Sequence, residues 1–270
     1  MPRNRGAFFL HLYMTQNRPI GIFDSGVGGT SIWREIHRLL PHEDTVYLAD
    51  SRNAPYGEKS YGEILNLSRK NTKLLLAMGC KIIVVACNTA TTNAIRELRN
   101  EYKVPFIGIE PAIKPAALQT NTHAIGVLAT KGTLSSELFH RAVDHFGETK
   151  IIEQVGKGLV QLVEDGLADS PQAEVLLRQY LTPMVKENID YLVLGCTHYP
   201  YLLPTIRKIL PAHIAIIDSG EAVARHTQKT LTESGNLKLT GDGKCIFYTN
   251  GKLDVLQSLV GDFPVIYKDF

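Results

Sequence analysis

Short apolar runs alternate with amphipathic stretches along almost the whole chain. The runs fall at 19–23, 45–49, 81–86, 105–109, 123–128, 150–154, 190–195, 213–217, 244–249 and 264–267. Their length is that of buried strands. Between them, one stretch begins at Thr30, sets Ile32, Ile36, Leu39 and Leu40 on one face, and stops at Pro41. Others cover roughly 59–78, 89–102, 135–146, 158–167, 171–188, 201–210 and 220–234. Apolar positions at helical spacing followed by a strand-length run, repeated many times, predict an α/β fold with mainly parallel sheets flanked by helices.

The pattern also repeats internally. Residues 20–25 read IGIFDS and 125–130 read IGVLAT, an offset of 105; residues 83–89 read IVVACNT and 192–198 read LVLGCTH, an offset of 109. Each pair sets an apolar strand before a small or polar turn. The nearly equal offsets, and the cysteine shared by the second pair, predict two pseudo-symmetric domains. If the halves face each other, equivalent strand ends meet in one interdomain cleft, and Cys87 looks across it at Cys196.

Composition narrows the classes. A chain of 270 residues with 44% hydrophobic side chains can bury a full core. Its 29 basic and 27 acidic residues nearly cancel, and no basic run exceeds two residues, so nucleic acid is not an expected partner. Every apolar run is far shorter than the roughly 20 residues that span a bilayer, so neither is a membrane. Residues 1–14 (MPRNRGAFFLHLYM) carry two arginines before an apolar patch broken by His11. With no small-residue cleavage site before Pro19, they read as a disordered extension, with Met14 as the natural start. Cys80, Cys87, Cys196 and Cys245 include no CxxC pair and form no disulfide framework, which points to a reducing, cytoplasmic setting. A homodimer is the expected assembly.

The candidate chemistry sits at strand ends. Cys87 lies where IIVVA ends and the helical stretch TTNAIREL begins. A helix N-terminus stabilises an anion, so a thiol there should lose its proton more readily than a free one. Asn88 and Thr89 supply donors for a carboxylate. The plainer alternative is a small buried packing residue. Cys196 repeats the context: YLVLG runs into it, and Thr197, His198, Tyr199 and Pro200 follow. His198 could activate that thiol or be a structural histidine.

Asp24 ends another strand and opens DSGVGG, which lacks both the P-loop GK[ST] and the GxGxxG spacing. Such a turn lets backbone approach a small anion, a carboxylate being the natural guest; capping a helix is the alternative for Asp24. The loop 49–60, with Pro55-Tyr56-Gly57, is a binding lip or an ordinary connection, and Thr130 and Thr133 occupy the matching loop of the second half. Glu164, in GLVQLVEDG, reads as a surface charge on a helix, and Cys80 and Cys245 read as packing residues.

Two opposed thiols suit one reaction. Inverting an α-carbon means removing a proton from one face and returning one to the other. One group starts as thiolate and the other as thiol, and a duplicated fold supplies the near-mirror geometry. No nucleotide fingerprint and no strand-end lysine suited to pyridoxal phosphate appears, so no cofactor is expected.

At these residues the chain resembles the glutamate racemase family, within the wider aspartate/glutamate racemase superfamily. The matching stretches are IGIFDSGVGG at 20–29, PYG at 55–57, ACNTAT at 86–91, GVLATKGT at 126–133, LVEDG at 162–166 and GCTHYP at 195–200. The resemblance spans about 14–270. It implies two α/β domains with the site between them, the first from 1–110 completed by 220–270 and the second from 111–219. It implies that Cys87 takes the proton from D-glutamate and Cys196 from L-glutamate. Asp24 would assist Cys87, with His198 and Glu164 on the Cys196 side, against the surface reading of Glu164. Implied substrate contacts are Asp24, Ser25, Tyr56, Gly57, Asn88, Thr89, Thr130, Thr133, Thr197 and His198. The product, D-glutamate, would feed peptidoglycan synthesis. The chain departs from the family where a Cys-Pro pair usually precedes LVE: Gly156-Lys157-Gly158 stands there, and Gln161 replaces the usual proline. Rival readings are a racemase for aspartate or another acidic amino acid, a Cys–His hydrolase, and a non-catalytic amino-acid binding module.

Overall fold

A computed structural model describes residues 16–270. The expected N-terminal extension and the start at Met14 therefore lie outside the described residues. Ten strands match the ten apolar runs: β1 (Ile20–Asp24), β2 (Thr45–Ala49), β3 (Ile82–Val85), β4 (Phe106–Gly108), β5 (Ala124–Ala129), β6 (Lys150–Val155), β7 (Tyr191–Gly195), β8 (Ala215–Ile217), β9 (Cys245–Thr249) and β10 (Val265–Tyr267). The helices are α1 (Thr30–Leu39), α2 (Tyr61–Ala77), α3 (Asn88–Glu101), α4 (Ile113–Gln119), α5 (Lys131–Leu134), α6 (Glu137–Asp144), α7 (Leu159–Glu164), α8 (Pro171–Lys186), α9 (Leu203–Ile209), α10 (Gly220–Glu233) and α11 (Leu253–Val260). The apolar period did not anticipate α4, α5 or α11. Each is at most eight residues, too few turns for a helical period to stand out.

The strands form two sheets, ordered β10-β9-β2-β1-β3-β4 and β6-β5-β7-β8, and every pairing is parallel. The order β2-β1-β3-β4 thus recurs as β6-β5-β7-β8. The sequence echo carries through to the register, since Phe23 pairs with Val85 and Leu128 pairs with Leu194. Parallel strands covered on both faces need no polar alternation, which is why β1 and β5 are buried at every residue. Beyond β2 the first sheet gains β9 and β10 from the end of the chain, while α10 packs on α1. One apolar cluster joins residues of both sheets, including Ile20, Ile22, Leu128 and Leu192. In such a fold the functional end is where the strands stop and the helices start.

Candidate active site

Four strand ends meet at that edge. Asp24 closes β1, Cys87 follows β3 and is the N-cap of α3, Thr130 follows β5 and caps α5, and Cys196 follows β7. Ser25, Tyr56, Gly57, Cys87, Asn88, Thr89, Thr130, Cys196, Thr197 and His198 all line one small cavity, together with Pro55 and Val160. The two thiols expected to face each other therefore share a pocket. The space between them, about 10 Å³, holds about one water, so the cleft is shut.

The Cys87 side is acidic and dry. The Sγ accepts from the Ala90 backbone N–H at 3.4 Å, the geometry expected of a thiol at a helix start. Yet the expectation of easy deprotonation fails. Burial pushes the thiol well up and the Asp24 charge adds to this, against the helix N–H and a hydrogen bond from Ser25. A helix terminus contributes little against full desolvation of an anion. Asp24 is itself fully buried and its carboxyl is raised by that burial. Its Oδ2 accepts from Gly29 N–H at 2.7 Å and its Oδ1 from the Ser25 hydroxyl at 3.4 Å. Gly29 is the N-cap of α1, so Asp24 supports that helix start and the thiol region at once.

The Cys196 side is built from an imidazole. His198 Nδ1 lies 3.7 Å from Cys196 Sγ, and Nε2 lies 2.6 Å from Glu164 Oε1. The Gly28 N–H also points at Nε2, at 3.3 Å. One nitrogen cannot accept from Gly28 and donate to Glu164, and the shorter contact to a carboxylate decides for Nε2–H as donor. Burial works against the charged ring, but the hydrogen bonds to Cys196 and Glu164 outweigh it and hold His198 well above the ordinary imidazole range. The ring, between the Cys196 sulfur and the Glu164 carboxylate, is thus shifted towards its charged form.

Glu164 is 8% exposed, which overturns its reading as a surface charge. It also explains the glycine-rich turn. Glu164 Oε1 accepts from the Val27 backbone N–H at 2.7 Å. A Cβ on Gly26 would overlap the Glu164 carboxylate, and one on Gly28 would overlap the His198 ring. The turn does receive a carboxylate, but it is one supplied by the other half of the chain.

The remaining expected contacts gather around the same cavity. Thr89 Oγ1 lies 2.8 Å from Thr130 Oγ1, which lies 3.0 Å from Thr133 Oγ1. Thr133 completes this hydroxyl cluster without lining the pocket. The Thr197 carbonyl accepts from Ser31 Oγ at 2.9 Å. Asn88 donates weakly through Nδ2 to the Ile109 carbonyl at 3.5 Å, and its buried Oδ1 has no protein partner. A buried acceptor without a partner, on a residue that lines the pocket, suits a ligand N–H.

Two contributors escaped sequence reasoning. Val160 lines the cavity one helical turn before Glu164, a spacing that signals a shared face of α7. Asp50, fully buried, accepts from the Tyr56 hydroxyl at 2.5 Å, from Lys70 at 3.1 Å and from Asn250 at 2.6 Å, and so holds the Tyr56 turn. Among the described residues no group of three His, Cys, Asp or Glu gathers as a metal site.

A family profile described as Asp/Glu/Hydantoin racemase matches residues 20–227. The chain belongs to the aspartate/glutamate racemase family. It is 44% identical over 238 residues to a glutamate racemase of Herpetosiphon aurantiacus, covering 87% of this chain and 94% of that one. It superposes on the glutamate racemase isoform RacE1 of Bacillus anthracis with a TM-score of 0.85 at 33% identity, covering 94% of this chain and 98% of that one. The Escherichia coli glutamate racemase, solved with L-glutamate and the activator UDP-MurNAc-ala, matches with a TM-score of 0.81 at 33% identity, covering 93% and 98%. In this racemase-family chain both cysteine motifs fall at the closed cavity.

Proposed function

We infer that this chain interconverts L- and D-glutamate without a cofactor, supplying the D-enantiomer for peptidoglycan synthesis. The carrying observation is that Cys87 and Cys196, on corresponding strand ends of the two sheets, line one shut cavity. A thiolate on one face takes the Cα proton, and the electron pair left on Cα delocalises into the α-carboxylate. The thiol on the other face then delivers its proton to Cα. The product has inverted configuration, and thiol and thiolate have exchanged places.

The surroundings favour one starting arrangement. Burial and Asp24 keep Cys87 protonated, while the His198 imidazolium, backed by Glu164, stands beside Cys196. By resemblance, Cys196 is the group that takes the proton of L-glutamate. In the reverse direction Asp24 assists Cys87. Asn88 Oδ1 suits the substrate ammonium, and Ser25, Tyr56, Gly57, Thr89, Thr130, Thr133 and Thr197 surround the carboxylates. Exclusion of water supports the reading, because a carbanion in a wet site would be quenched from either face.

One observation favours a second reading. Cys196, His198 and Glu164 are linked as nucleophile, base and acid are in a cysteine hydrolase. Such an enzyme needs one cysteine only, and the shared cavity leaves Cys87 unexplained. The test is to incubate each glutamate enantiomer, and aspartate, in deuterated water. We expect deuterium at Cα with inversion, for glutamate in preference to aspartate, lost in both Cys87→Ala and Cys196→Ala. An active Cys87→Ala enzyme would sink the two-thiol reading.

The two sheets support domains at 1–110 with 220–270 and at 111–219. Among the described residues no helix is long and apolar enough to cross a membrane, and the four cysteines are unpaired. A cytoplasmic homodimer is the setting we propose; sedimentation of the purified chain checks the assembly.

A further inference from the structure

The cavity between the two cysteines, about 10 Å³, is too small for an amino acid as it stands, so glutamate has to reach it through neighbouring space. A second cavity, of about 510 Å³, shares Pro55, Gly57, Thr130 and Val160 with the first. It is therefore the space next to the shut cleft, divided from it by residues of both halves. Its charged lining is Lys131, Lys157 and Glu58, a net excess of one positive charge. Lys131 opens α5 directly after Thr130. Lys157 sits in the turn between β6 and α7, just before Gly158 with φ +81°. We propose that this cavity is an antechamber that docks a dicarboxylate, with Lys131 and Lys157 holding a glutamate carboxylate before the cleft opens.

The inference rests on the glutamate reading and adds a binding step to it. Two lysines in a concave site concentrate an anion far better than on an open surface, and the effect fades as salt shortens the range of the field. Glu58 acts the other way, repelling the same anion. The site leads inward through α7, which carries Val160 on the shared wall and Glu164 at the end of its last turn. A bound anion is thus held beside the helix that carries both the shared wall and Glu164. Glutamate passes from a wet, positively charged cavity into a dry one only once docked.

The test measures kcat and KM for Lys131→Gln, Lys157→Gln, the double variant and Glu58→Gln at ionic strengths from about 0.02 to 0.5 M. Glutarate serves as an unreactive dicarboxylate probe. At low salt the double variant should lose about tenfold in kcat/KM with kcat unchanged, and bind glutarate correspondingly more weakly. The loss should shrink at high salt, and Glu58→Gln should gain at low salt. A loss of equal size at every ionic strength, a fall confined to kcat, or a double variant indistinguishable from wild type would each overturn the antechamber. The wild type and Cys87→Ala are run alongside. If the wild type does not invert glutamate, the function itself fails; if it does and the lysine variants match it, only the docking step fails.

Discussion

The two sides of the cavity share a backbone plan and differ in chemistry. Each presents a cysteine directly after a strand of a parallel sheet, beside the strand that ends in Asp24 on one side and leads to Thr130 on the other. On the first side the thiol meets a buried carboxylate and stays protonated. On the second it meets an imidazolium backed by Glu164. Pseudo-symmetry thus brings two thiols to one cavity, while their neighbours differ: Asp24 beside Cys87, His198 and Glu164 beside Cys196.

The comparison can be broken most severely at the sulfurs. Cys87→Ala and Cys196→Ala should each lower racemisation by about 10⁴-fold from either enantiomer, followed by circular dichroism, because one group alone cannot serve both faces. A smaller and more telling effect is expected from the neighbours. Asp24→Asn and His198→Gln should each cost about 10²-fold in kcat. L- and D-glutamate have equal free energies, so kcat/KM must remain the same in both directions for any variant. The asymmetry must show in kcat and KM separately. The ratio of kcat from L-glutamate to kcat from D-glutamate should move in opposite senses in these two variants; movement in the same sense would show that the sides are not specialised.

Gly26→Ala tests the link between the halves. The added methyl overlaps the Glu164 carboxylate, so KM should rise about tenfold and Tm fall by about 5 °C in a thermal melt. The mildest change is Glu164→Gln. The Glu164 hydrogen bond is one of the contacts that hold the His198 proton above the ordinary imidazole range. The imidazolium is lost as pH rises through that raised value, so removing the carboxylate should move the alkaline limb of kcat/KM to lower pH. An unmoved limb would mean that Glu164 acts only on the Val27 backbone.

Much of this was legible in the chain. All ten apolar runs became strands, because a strand buried on both faces must be apolar throughout. The echo between IGIFDS and IGVLAT and between the two cysteine strands anticipated the repeated strand order. The short helices α4, α5 and α11 were not legible, since four to eight residues are too few turns for an apolar period to register. The shared cavity of Lys131 and Lys157 was not legible, because a single exposed lysine in sequence looks like any solvated charge.

What the sequence by itself determined is the scaffold and the positions of the two sulfurs at strand ends, since burial and chain direction are written in local pattern. Tertiary structure alone decided what stands beside each sulfur. Glu164 is an ordinary helical carboxylate until α7 docks it on the Val27 N–H, and the glycines at 26 and 28 matter only because residues more than a hundred positions away press against them. Proton affinity follows the same rule. The helix start beside Cys87 argued for an easily ionised thiol, and full desolvation beside the Asp24 carboxylate reversed it, because the free energy of a buried charge depends on every group around it.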